Sequence, residues 1–168
     1  MKTIYKSLTI FILLSSIIMM AKGQNSISGI YLQNIIDPDG TSNKSYFAIL
    51  QTLSSNLKAT VILGEKDALS GKIPEALFND PKYSSIQYIG YIDQNGVANL
   101  KHEEYDDMLQ GKLTTFYSFK ITDSNKLNVT YTWWLQGADK IEKKLNWVKI
   151  KSGFDLVNDY GETVRSIK

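Results

Sequence analysis

Downstream of an apolar N-terminal stretch, the chain is built of short apolar runs separated by clusters of Gly, Pro, Asn, Asp and Ser. Within many runs, β-branched and aromatic residues alternate with polar ones, a period of two that sends successive side chains to opposite faces of a strand. Eight strands are predicted: about Ser28 to Ile36, Ser45 to Leu53, Leu57 to Leu63, Ser85 to Ile92, Val97 to Glu103, Lys112 to Thr122, Lys126 to Leu135 and Ile141 to Lys151. Asp37-Pro38-Asp39-Gly40 and Asp93-Gln94-Asn95-Gly96 supply turn chemistry, with glycine available for a positive φ. The connection from Glu65 to Ser85 is longer. Inside it, Ile73-Pro74-Glu75-Ala76-Leu77-Phe78 predicts one or two helical turns, with Pro74 at the first position, where its missing N–H costs nothing. Ser152 to Lys168 has no clear period and fits a short helix, an added strand or a loose tail.

Consecutive strands with short connections predict an antiparallel meander. An open eight-stranded meander leaves two edges unpaired, and closure removes them. The expected fold is therefore all-β: an eight-stranded up-and-down barrel over residues 24–151, with a two-sheet sandwich as the alternative. Residues 152–168 form a C-terminal segment that packs on the barrel or stays loose.

The strand faces sharpen this. On the seventh strand, Val129, Tyr131, Trp133 and Leu135 share an apolar face that should point inward. Trp134 lies with Asn128, Thr130 and Thr132 on the opposite, polar face. On the sixth strand, Leu113, Thr115, Tyr117, Phe119 and Ile121 point inward, and Phe116 is the apolar exception on the polar face. A hairpin at Asp123-Ser124-Asn125 brings Phe116 and Trp134 onto adjacent strands. Three readings of this pair remain open: cover by Phe154, Leu156, Val157 and Ile167 of the C-terminal segment, a patch for a protein or glycan partner, or an inverted face assignment. The inward set gathers Tyr117, Tyr131 and Trp133, with Tyr88 from the fourth strand. Buried tyrosine hydroxyls need partners, which a ligand cavity or a hydrated rim would supply. The Glu65 to Ser85 connection is the candidate lid.

Composition adds a compartment. Lys2 and Lys6 precede an apolar stretch from Leu8 to Met20, and Ala21-Lys22-Gly23 puts small residues at −3 and −1 of a cleavage site. Residues 1–23 thus predict a cleavable signal peptide and a secreted or periplasmic protein without a stable membrane span; the apolar stretch is short for a bilayer needing ~20 residues. Without Lys2, Lys6 and Lys22 the basic count falls from 19 to 16 against 17 acids, so the remainder is near −1. Such a chain lacks the basic field that nucleic-acid binding needs, and Arg165 is its one arginine. With no cysteine, disulfides, thiolate metal sites and a lipidated cysteine are excluded.

Catalytic signals are absent. No Gly-x-Ser-x-Gly elbow or phosphate-cradling glycine loop occurs, and the single histidine, His102, rules out most triads. His102-Glu103-Glu104-Tyr105-Asp106-Asp107 has donors for a divalent cation, but its spacing fits neither a zinc-protease helix nor an EF-hand, and a solvated turn between strands explains it. No catalytic residue and no metal ligand is assigned.

Gly29-Ile30-Tyr31 stands on the first strand where lipocalin-like (calycin) barrels carry Gly-x-Trp. Together with the signal, the eight sequential strands and the terminal segment, it makes the chain resemble that group over about Ser28 to Lys151. The resemblance implies a small-molecule or lipid-binding cavity, no cofactor, and an arginine after the last strand packed over the first-strand aromatic, a role open to Arg165. The functional expectation is an exported barrel that binds an apolar or amphipathic small molecule in its interior, lined by Tyr88, Tyr117, Tyr131 and Trp133. The alternative is an interaction module that uses Phe116 and Trp134 to bind a protein or glycan.

Overall fold

The computed structural model describes residues 26–36, 40–52, 55–80, 86–122 and 124–168. The predicted signal peptide lies outside these residues. The chain runs β1 (Gly29–Ile36), β2 (Ser42–Gln51), β3 (Asn56–Ile62), α1 (Glu65–Ser70), β4 (Lys72–Pro74), α2 (Ala76–Asn79), β5 (Gln87–Ile92), β6 (Val97–Asp106), β7 (Gly111–Lys120), β8 (Lys126–Leu135), β9 (Ile141–Lys151), β10 (Phe154–Val157) and β11 (Thr163–Ile167). Eight strands, β1-β2-β3-β5-β6-β7-β8-β9, close into an antiparallel barrel. Among the described residues no helix is long and apolar enough to cross a membrane.

Closure depends on a close approach between β1 and β9. Gly29 has φ +155°, and a Cβ built there would stand 2.4 Å from the Lys151 carbonyl oxygen, so a larger residue would force the two strands apart. The β1–β9 register shifts between Ile30 and Tyr31, just after this contact.

The barrel has apolar clusters on both sides of its wall. The inner one gathers Ile27, Tyr31, Phe47, Ile49, Leu57, Ala59, Leu100, Phe119, Val129 and Trp147, among others. The outer one joins Ile30, Tyr46, Ala48, Leu50 and Ile62 of β1–β3 to Ala68, Ile73, Phe78, Phe154, Leu156 and Ile167. A three-stranded sheet, β11-β10-β4, forms this covering layer with α1 and α2. Burial on both faces explains why Tyr46 to Leu50 is an unbroken apolar run while β8 alternates.

The connections differ from expectation. Pro74 does not start a helix. It ends β4, which pairs in parallel with β10, and the second helix begins at Ala76. A further helix, α1, precedes it and stops at Gly71, whose φ of 74° is a left-handed cap that favours glycine. The described part of the expected lid therefore packs against the outside of β2 and β3. The C-terminal segment is a hairpin of two strands on that same side, so it does not cover Phe116 and Trp134. The acidic stretch from His102 to Asp106 is the upper part of β6 and not a turn.

Candidate functional site

The two ends of the barrel interior differ. At the lower end, where β1 begins, Trp147 is fully buried and is the hub of the packing. Phe47 stacks on it at 4.5 Å between ring centroids, with Tyr117 at 5.0 Å, Phe119 at 5.6 Å and Tyr31 at 6.1 Å. The polar atoms here have partners. The Trp147 indole N–H donates to Gln33 Oε1 at 2.8 Å, and the Tyr31 hydroxyl donates to the Ile27 carbonyl at 2.7 Å. Lys149 places its ammonium 5.3 Å from the Tyr31 ring centroid and donates to the Ser26 carbonyl at 3.2 Å. The cation over the first-strand aromatic is thus Lys149. Arg165 is exposed on β11, opposite Leu156.

At the upper end, where β7 begins and β8 ends, the aromatic column continues through Tyr117, stacked on Tyr131 at 4.8 Å and edge-on to Tyr88 at 5.3 Å. Burial raises the phenol pKa of Tyr117, with the neighbouring Tyr88 and Tyr131 adding to it. Burial also raises Tyr88 and Tyr131; for Tyr88, Thr115 and Tyr117 partly offset the rise while Glu104 adds to it. Tyr88, Tyr117, Tyr131 and Trp133 therefore lie on one interior face. Tyr88 and Tyr117 are buried, whereas Tyr131 and Trp133 are half-buried. The core tryptophan is Trp147. Trp133 has the expected inward side but sits near the rim, opposite Ile141 and Thr115.

Two further residues stand at this end, and alternation along their strands is the sequence signal that points them inward. His102 and Thr115 face each other across β6 and β7. His102 Nε2 and Thr115 Oγ1 are both buried without a hydrogen-bond partner. The His102 ring lies 5.5 Å from the Tyr88 ring, its Nδ1 is 2.8 Å from the Gln87 carbonyl oxygen, and its Nε2 is 3.5 Å from Glu104 Oε2. Thr115 tempers the Tyr88 phenol without forming a well-aligned hydrogen bond. Orphaned buried polar atoms are uncommon, because each forfeits its hydration without compensation. Among the described residues one other side chain has such an atom, the Tyr46 hydroxyl on the outer face near Glu65.

Phe116 and Trp134 are half-buried on the outer faces of β7 and β8. Phe116 stands opposite Thr132, and Trp134 opposite Thr114, with the Lys140 ammonium 4.6 Å from the Trp134 ring centroid. Strand alternation splits the acidic stretch, and among the described residues no three His, Asp or Glu side chains converge as a metal site. On the outer side of this stretch, Lys101 at 2.8 Å and Lys112 at 3.1 Å hold the Glu103 carboxyl down to about 2.

A cavity of about 390 Å³ lies outside the interior column, lined by Val61, Ile62, Ile73, Leu77, Ile86 and Val157 among others. Its charged lining residues, Asp67 and Lys72, are exposed. None of the buried polar atoms without a hydrogen bond lies on its lining. No protein-family model, curated protein or solved structure matches the chain.

Proposed function

We propose that this protein is an exported barrel that binds a small amphipathic molecule at the upper end of its interior. One observation carries the reading: two opposed buried polar atoms, His102 Nε2 and Thr115 Oγ1, lack partners beside the half-buried aromatics Tyr131 and Trp133. Flat aromatic surface offers apolar contact, and a few placed polar groups fix orientation, which is the usual composition of a small-molecule site. Trp147 and its neighbours fill the middle of the barrel, so the ligand occupies the upper end and not the whole interior. A cavity of about 380 Å³ opens at the lower mouth beside Ile27, Tyr31, Phe119 and Leu127, but there the Tyr31 hydroxyl and the Lys149 ammonium already have partners. Titration with a lipophilic fluorophore should quench tryptophan emission, and Trp133→Phe should remove most of that quenching while Trp147 still reports an intact core. Unchanged emission across a broad ligand panel would reject the reading.

A second reading rests on a different observation. The C-terminal strands lie on β1–β3 and leave the Phe116 and Trp134 face to itself. As a protein- or glycan-binding patch, this face should lose capture of its partner in Trp134→Ala with almost no change in thermal stability. A loss of several kcal/mol would show Trp134 to be structural.

A further inference from the structure

We infer that the upper site selects a neutral ligand with a planar apolar body and a hydroxyl head, and that His102 reads the hydroxyl as a hydrogen-bond acceptor. The inference rests on the binding reading above and adds the chemical class. A carbonyl oxygen can only accept, so the 2.8 Å contact with the Gln87 carbonyl requires the proton on His102 Nδ1. In the neutral ring Nε2 then carries a bare lone pair, which Glu104 Oε2 at 3.5 Å cannot satisfy because it too only accepts. A ligand must bring a donor to it.

Thr115 Oγ1 sets the second condition. It stands opposite His102 on the neighbouring strand, where Cβ atoms are ~5 Å apart, so one small group can touch both side chains. A hydroxyl donates to Nε2 and accepts from the threonine hydroxyl, satisfying both atoms at once. An ether has no proton to donate. A carboxylate also offers only acceptors, and it would add a negative charge beside Glu104, whose Oε2 is 3.5 Å from the same nitrogen. Lys143, opposite Tyr131, is exposed, so solvent screens the help it offers an anion. The half-buried Tyr131 and Trp133 provide flat surface for a planar body.

The test compares 2-naphthol, 2-methoxynaphthalene and 2-naphthoate against the purified full chain by calorimetry. Naphthol should bind at least ten-fold tighter than the methyl ether, and naphthoate most weakly. In His102→Leu the naphthol and the ether should bind equally. Binding of none of the three would remove the ligand-binding reading itself. Equal binding of naphthol and ether to the unaltered protein, or tight binding of naphthoate, would overturn only the hydroxyl selection. So would a ten-fold preference that survives in His102→Leu. Should that variant fail to fold, nitrogen-15 spectra of the unaltered protein decide: the free His102 ring should be the Nδ1–H tautomer, and naphthol should shift Nε2 far more than the ether does. An Nε2–H tautomer, a ring protonated on both nitrogens between Gln87 and Glu104, or an Nε2 signal indifferent to naphthol overturns the inference.

Discussion

The lower and upper ends of the barrel interior treat their buried polar atoms in opposite ways. Below, an indole and a phenol are buried and each donates to a partner within 3 Å: Trp147 to Gln33, Tyr31 to Ile27. Above, an imidazole nitrogen and a threonine hydroxyl are buried with none. The net gain from a satisfied buried hydrogen bond is modest, ~1 kcal/mol, whereas an orphaned group costs ~1–3 kcal/mol. The lower end is therefore organised for stability, whereas the buried polar atoms of the upper end subtract from it.

The comparison can be broken most sharply with tryptophan. Trp147→Ala should cost ~3–5 kcal/mol in chemical denaturation, the range for emptying a large buried aromatic site. Trp133→Ala should cost less than ~1.5 kcal/mol, since a half-buried ring loses only part of its transfer free energy. Equal costs would show that the upper end is as structural as the lower.

Alkaline titration tests how dry the column is. Burial raises the phenol pKa of Tyr31 and of Tyr117 above the ordinary value of 10.0. A folded-state pKa above the unfolded one means stability that is fully present below pH ~10 and lost as pH climbs, by ~1.4 kcal/mol per pH unit for each protected phenol. Tyrosinate absorbance from these two residues should appear together with loss of the far-ultraviolet signal. Ionisation without unfolding would show that water reaches the column.

A pair of polar-to-apolar changes then separates the ends directly. Gln33→Leu strands the Trp147 N–H and should cost ~1–3 kcal/mol. Thr115→Val removes an atom that has no partner and should be neutral or stabilising by up to ~1 kcal/mol. A clear loss in Thr115→Val would mean that its hydroxyl is already satisfied. The smallest effect lies outside the comparison and serves as its control. Glu103, held near 2 by Lys101 and Lys112, favours folding above the ordinary carboxylate range and loses that contribution as pH falls toward 2. Its side chain is about one-third exposed, so solvent screens the pair, and Lys112→Met should move its carboxyl midpoint upward in a carbon-13 titration with little change in melting temperature.

How much of this was legible in the sequence varied with the range of the interactions involved. The strands Lys126–Leu135 and Ile141–Lys151 match expectation to the residue, because alternation and flanking turns are local signals. The covering layer was not legible, since β4 becomes a strand only by pairing with β10, far along the chain. One clue was present: five consecutive apolar residues, Tyr46 to Leu50, require burial on both faces of β2. Trp147 gives no clear inward signal locally, because lysines and Glu142 surround it in sequence; its register opposite Leu127 and Gln33 carries it inward. The acidic neighbours of His102 give it the local signature of a solvated turn. Alternation along β6 instead turns it inward while Glu103 points out.

The parallel pairing of β4 with β10 has a consequence in time. The connection after β3 gains its sheet partner only when residues 154–157 exist, and the hairpin that seals it is completed by β11, after every barrel strand. During synthesis, every barrel strand can be made while this outer wall is still unfinished. Residues made about 80 positions later thus fasten β4, and the apolar outer faces of β1–β3 stay exposed until they arrive. A chain stopped at residue 153 would have all eight barrel strands and yet behave as a nascent intermediate, sticky on one side.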